Sequence, residues 1–168
     1  MYFNKISYED YHHIQIGKIG EYWMKLCFSM LNLDVYTTEV DNKGIDFIVR
    51  LDDSNYIDIQ VKTIRKSKTS YVYVDKEDKE VDWKDVLRKN RFLAIVIIED
   101  YKIPSSFLIP ATEWNNPNEL LKIRNYKSNG LKSKDDWGVN ISKKNMELLQ
   151  KYELAKSVIE LKEKYKCI

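Results

Sequence analysis

Asp46, Gln60 and Lys62 stand in the segment GIDFIVRLDDSNYIDIQVKT, residues 44–63, where apolar and polar residues alternate on both sides of a polar turn. That period predicts two β-strands, 44–51 and 56–63, joined as a hairpin. Asp46 opens the first strand, and Gln60 and Lys62 close the second. An acid, a neutral oxygen donor and a lysine at one sheet edge suit metal-assisted cleavage of a phosphodiester. A hard cation activates water near neutral pH and relieves charge in the transition state. Magnesium takes oxygen ligands and keeps several waters. Asp46 is the expected central carboxylate, with the Gln60 amide and the Val61 carbonyl as neutral ligands. Manganese is expected to substitute, and Lys62 to orient the attacking water or stabilise the developing charge.

The pairing of the two strands decides whether these residues meet. Side chains alternate, so Asp58, Gln60 and Lys62 share one face, opposite Ile57, Ile59 and Val61. A four-residue loop, 52–55, would set Asp46 opposite Val61, on the wrong face. The site therefore requires an odd loop, such as 53–55, or a bulge. One carboxylate is also a thin ligand set. Glu21, in GKIGE of a predicted helix 14–31, is the expected second acid. Gly17 and Gly20 weaken that helix unless they permit close approach to a neighbour.

Around the hairpin the periodicities predict a short strand at 33–39, a strand at 70–74 and a short helix at 82–89. A continuous apolar run, 92–99, reads as a strand covered on both faces. A strand at 106–109, a short helix at 118–123 and a loop at 126–136 follow, with Trp137 and Gly138 anchoring a helical region that Ser142 caps and that runs to about 165. Its apolar stripe is Leu148, Tyr152, Ala155 and Ile159. This order is that of a mixed α/β sandwich forming one unit over 1–168, with 143–168 as a helical extension.

The 168 residues, 43% hydrophobic and 32% charged, suit a folded globular chain. No apolar run approaches the roughly 18–20 residues of a membrane span, and the N-terminus lacks the pattern of a secretory signal. Cys27 and Cys167 fit no metal spacing, so a reduced, cytoplasmic protein is expected. Net charge is only +2, so distribution matters more than total. The run 62–68, KTIRKSK, holds four cations in seven residues, and 122–134 adds Lys122, Arg124, Lys127, Lys132 and Lys134. Lys43, Arg65, Lys66 and Lys68 are the expected phosphate contacts of a nucleic acid.

An acid on the first helix, then GID, then QxK at the end of the next strand resembles the PD-(D/E)xK nuclease superfamily. GxxGE, KGID, IQVKT, FLIPATEW and DWGVNISKKN carry the likeness over most of the chain, and it looks closest to small stand-alone members, archaeal Holliday-junction resolvases among them. The resemblance implies a restriction-endonuclease-like fold, a central mixed β-sheet flanked by helices. It also implies a magnesium-dependent endonuclease acting on DNA, with Glu21, Asp46, Gln60 and Lys62 as the catalytic set and Glu21, Asp46, Gln60 and Val61 around the metal. Gln60 departs from the usual acid, although some active members use glutamine there. Homodimers are frequent among such enzymes. The alternative is a nuclease-like fold that only binds nucleic acid or a partner protein.

Overall fold

The computed structural model describes residues 2–37, 39, 44–75, 89–126, 128, 130–166. Helix α1, His13–Met30, starts where the His12 N–H is taken by Gln15 Oε1 at 2.9 Å. It ends where Asn32 turns left-handed, φ 57°, and the Leu33 N–H returns to the Phe28 carbonyl at 3.1 Å. Strands β1, Asp34–Tyr36, β2, Phe47–Arg50, and β3, Tyr56–Arg65, pair antiparallel in sequence. Strand β5, Arg91–Ile98, runs parallel to β3, and β6, Ser105–Pro110, returns antiparallel at the edge. The resulting five-stranded sheet has the order β1-β2-β3-β5-β6. A second sheet of three strands, order β4-β8-β7, comprises β4, Tyr71–Asp75, β7, Leu121–Arg124, and β8, Asp136–Asn140.

Strand β5 shows why the layers stack as they do. All of its residues are buried. Phe92, Ala94, Val96 and Ile98 enter a core with α1 and with helix α3, Leu154–Lys166. Leu93, Ile95 and Ile97 enter a second core against the three-stranded sheet. A strand that feeds two cores cannot alternate in polarity. Each of its large aliphatic side chains contributes about 1.5–3 kcal/mol on burial.

Three expected elements differ. The helix expected at 118–123 is instead β7, because Asn118 Oδ1 accepts from the Leu120 and Leu121 N–H groups (2.8 and 2.9 Å) and turns the chain into the second sheet. Trp137 and Gly138 lie inside β8 rather than before a helix, and Ser142 makes no side-chain cap. The long terminal helix is broken into α2, Met146–Gln150, and α3, because the intervening segment straps the edge of β6: Leu108 N–H donates to the Tyr152 carbonyl at 2.7 Å. The buried stripe of this region is Leu149, Tyr152, Leu154, Val158 and Leu161, while Leu148 and Ile159 face solvent. These residues belong to the two cores and are not an appendage to them. The helix expected at 82–89 falls almost wholly outside the described residues. Among the described residues no helix is long and apolar enough to cross a membrane.

Helix α1 lies so close on β3 that a methyl built on Gly20 would stand 1.8 Å from Thr63 Oγ1 and 2.9 Å from Thr63 Cβ. A β-branched strand residue cannot swing clear of that clash. Gly17 has nothing within 4 Å. Gly20→Ala should therefore lower stability in urea denaturation by about 1–3 kcal/mol. Gly17→Ala should raise it by roughly 0.5–1 kcal/mol, because only the helix propensity changes.

Candidate active site

The carboxylate of Asp52 sets the hairpin that carries the site. Its Oδ1 accepts from the N–H groups of Ser54 (2.8 Å) and Asn55 (2.9 Å), and its Oδ2 from Asn55 Nδ2 (2.7 Å). These donors, the Ser54 N–H foremost, hold the Asp52 carboxyl below the usual carboxylate range. Leu51 N–H donates to the Asn55 carbonyl at 2.9 Å, so the ladder closes on a three-residue loop, 52–54. The loop is odd, as the site requires, but one residue earlier than 53–55. Phe47 consequently pairs with Ile59, and Asp46 comes next in line with Gln60 rather than with Lys62.

Asp46 also bulges. Its N–H donates to the Ile59 carbonyl at 2.9 Å, and its Oδ2 accepts from the Val61 N–H at 2.6 Å. The carboxylate thus lies along the edge of β3, where β2 has ended. A strand residue aims its N–H and C=O at the same neighbour, so the Val61 carbonyl faces that edge too. Gln60 points its amide at the chain before β2: a methyl on Gly44, φ +65°, would stand 3.2 Å from Gln60 Nε2 and 3.3 Å from Arg91 Nη2. Lys62, partly buried, lies in register with Ile95 of β5.

Glu21 comes from α1, which the Gly20–Thr63 contact presses onto the face of β3 opposite to that of Gln60 and Lys62. Its side chain is 17% exposed and pairs with Lys18 Nζ at 2.6 Å. That hydrogen bond from Lys18 raises the ammonium's pKa, and the Asp46 carboxylate adds to the effect. Two carboxylates with amide and carbonyl oxygens suit a hard divalent ion in charge and in ligand type. Among the described residues no three His, Cys, Asp or Glu side chains form a metal-holding group. The remaining ligands would be neutral oxygens and water.

Two residues near the site escaped the sequence reading. Lys18 looked like one surface lysine among many. Arg91, only 4% exposed, opens an apolar strand, stands in register with Asp58 and donates from Nη2 to the Gly44 carbonyl at 3.3 Å. A cation heading directly into a fully apolar run was the available signal. The expected phosphate contacts divide. Arg65 Nη1 donates to the carbonyls of Tyr8, Glu9 and Tyr11 (2.9, 2.9 and 3.1 Å), which commits it to clamping the N-terminal segment. Lys66 pairs with Glu99 at 2.8 Å. Lys68 is exposed, and Lys43 lies outside the described residues.

No protein-family model matches the chain, and no curated protein matches its sequence. Solved structures do. A Holliday junction resolvase, Hjc, from the archaeon Archaeoglobus fulgidus superposes with a TM-score of 0.51 at 10% identity, covering 84% of this chain and 94% of the resolvase. The bacterial homing endonuclease I-Ssp6803I superposes with a TM-score of 0.51 at 13% identity, covering 92% of this chain and 97% of the other. With its mixed central sheet, α1 on one face and overlap with most of both neighbours, the chain has a restriction-endonuclease-like fold.

Proposed function

We propose that this chain is a divalent-metal-dependent endonuclease that hydrolyses DNA phosphodiester bonds at the edge formed by Asp46 and Val61. The observation that carries the reading is the Asp46 carboxylate docked on the Val61 N–H, between Gln60 and Lys62, in a fold shared with a resolvase and a homing endonuclease. Asp46 and Glu21 would hold the metal, helped by the Gln60 amide oxygen and the Val61 carbonyl. When bound, magnesium or manganese supplies Lewis acidity and a water acidified toward neutral pH. The Val61 N–H orients the Asp46 carboxylate. Lys62 is the group to align the attacking water and to meet charge developing on the phosphate. To hold the metal, Glu21 would have to give up its pairing with Lys18.

A second reading, a nuclease-like module that binds without cutting, is favoured by one feature: Gln60 is neutral, and the described acids form no three-membered metal group. Nicking of supercoiled plasmid with magnesium separates the two. Asp46→Ala and Lys62→Ala should each slow nicking by about 100-fold or more, and EDTA should abolish it. Cleavage surviving both substitutions would overturn the endonuclease reading. Salt-sensitive binding with no cleavage under any divalent ion would establish the binding module instead.

Gln60→Glu supplies a further anionic ligand, and ligand charge tunes affinity for hard cations. It should tighten manganese binding by roughly tenfold, read as the metal concentration that half-saturates the thermal shift. An unchanged midpoint would place Gln60 outside the ligand set.

A further inference from the structure

The basic segment after residue 119 is not used by the site above. From Leu120 to Lys134 the sequence holds five cations and no acid. The strand pairing puts its two strand cations on one face. In β7, Leu121 and Ile123 turn into the second core, and Lys122 and Arg124 oppose Gly138 and Asp136 on the outer face. From the other side of β8, Tyr73 opposes Gly138 and Tyr71 opposes Asn140. Val72 and Val74 are buried, so both tyrosines look outward with the cations.

These residues form an ordered stack. Gly138 has no side chain, and the Tyr71 ring fills the space: a methyl there would stand 1.6 Å from the Tyr71 hydroxyl. The hydroxyl donates to Asp136 Oδ1 at 3.0 Å, and Asp136 is itself buried. The Arg124 guanidinium carbon sits 3.6 Å from the Tyr71 ring centroid, and its Nη1 donates to the Tyr126 hydroxyl at 2.9 Å. Stacking and one hydrogen bond thus hold a flexible cation in a single pose over the sheet. Beside it Tyr73 is 56% exposed, with no structural task visible in its packing. An oriented guanidinium plane and an exposed phenol ring beside Lys122 have the chemistry of a stacking platform for unpaired bases beside a backbone-phosphate track.

We propose that the outer face of the three-stranded sheet binds single-stranded DNA, with bases on Tyr73 and Arg124 and phosphates on Lys122 and the 132–134 lysines. The proposal deepens the endonuclease reading by naming a strand-specific contact away from the metal edge, and it rests on that reading only in taking DNA as the partner. Base stacking on an aromatic group contributes about 1–3 kcal/mol per base, so loss of the platform should be measurable.

The test is fluorescence anisotropy of a labelled thymidine oligonucleotide in EDTA, where no cleavage intervenes. A perfect duplex and unlabelled heparin serve as comparison ligands. Tyr73→Ala combined with Arg124→Gln should weaken oligonucleotide binding by about tenfold or more and change heparin binding much less. Tyr73→Ala alone, at a ring more than half exposed, should account for several-fold of that loss at a nearly unchanged melting midpoint. Because binding is read in EDTA and nicking in magnesium, a failure of catalysis and a failure of this platform are read separately. Parent-like oligonucleotide binding by the double variant would overturn the proposal. So would equal losses for oligonucleotide and heparin, which would mean attraction of any polyanion, or a parent that prefers the duplex.

Discussion

The site depends on where the β2–β3 hairpin closes. Asp52 gathers two backbone N–H groups and one amide, and this closes the loop on three residues. An even loop would leave every pair between β2 and β3 one residue out of step, and a one-residue slip reverses the face of each side chain. With the observed register Asp46 arrives beside Gln60, and the bulge then folds its carboxylate onto the Val61 N–H. A turn carboxylate exposed to water thus controls the placement of a half-buried one several residues away.

A second constraint acts through the thickness of the molecule. Strand β5 feeds both cores, and β3 lies between it and β2. The face of the sheet toward α1 is closed by tight packing, with Gly20 on Thr63 as its nearest approach. That approach fixes the side of β3 from which Glu21 and its partner Lys18 project. The opposite face is closed by a second sheet, whose own outer surface carries the Tyr71–Arg124 stack. Helices on one face and a small sheet on the other leave the β2 end of the central sheet as the place where polar groups gather.

Much of this was legible from residue order. Helix α1, strands β2 to β6, the double burial of β5, the need for an odd loop or a bulge and the reason for a glycine in GKIGE all follow from periodicity and from elementary sterics. The failures have particular causes. LKIR of β7 has too few residues to show a period, and the Asn118 carboxamide that turns the chain into a strand acts through backbone N–H groups the sequence does not display. The segment around Trp137 alternates only when paired on both sides, since Gly138 contributes no side chain to the pattern. Arg65 was read as a phosphate ligand from its neighbours in sequence, but its partners are carbonyls at residues 8–11.

The sequence by itself determined what is local or repeating: element types, the two apolar faces of the central strand, and the residue types able to hold a hard cation. These are set by side-chain volume, polarity and alternation, which need no partner to be read. Tertiary structure alone decided what depends on contacts between distant segments. It chose the loop phase that brings Asp46 to Gln60, paired Lys18 with Glu21 and buried Arg91 behind Gly44. It also broke the terminal helix where the Tyr152 carbonyl meets β6, though neither glycine nor proline marks the spot. There a hydrogen bond to an otherwise open sheet edge outweighs continuation of the helix, and no local pattern records that competition.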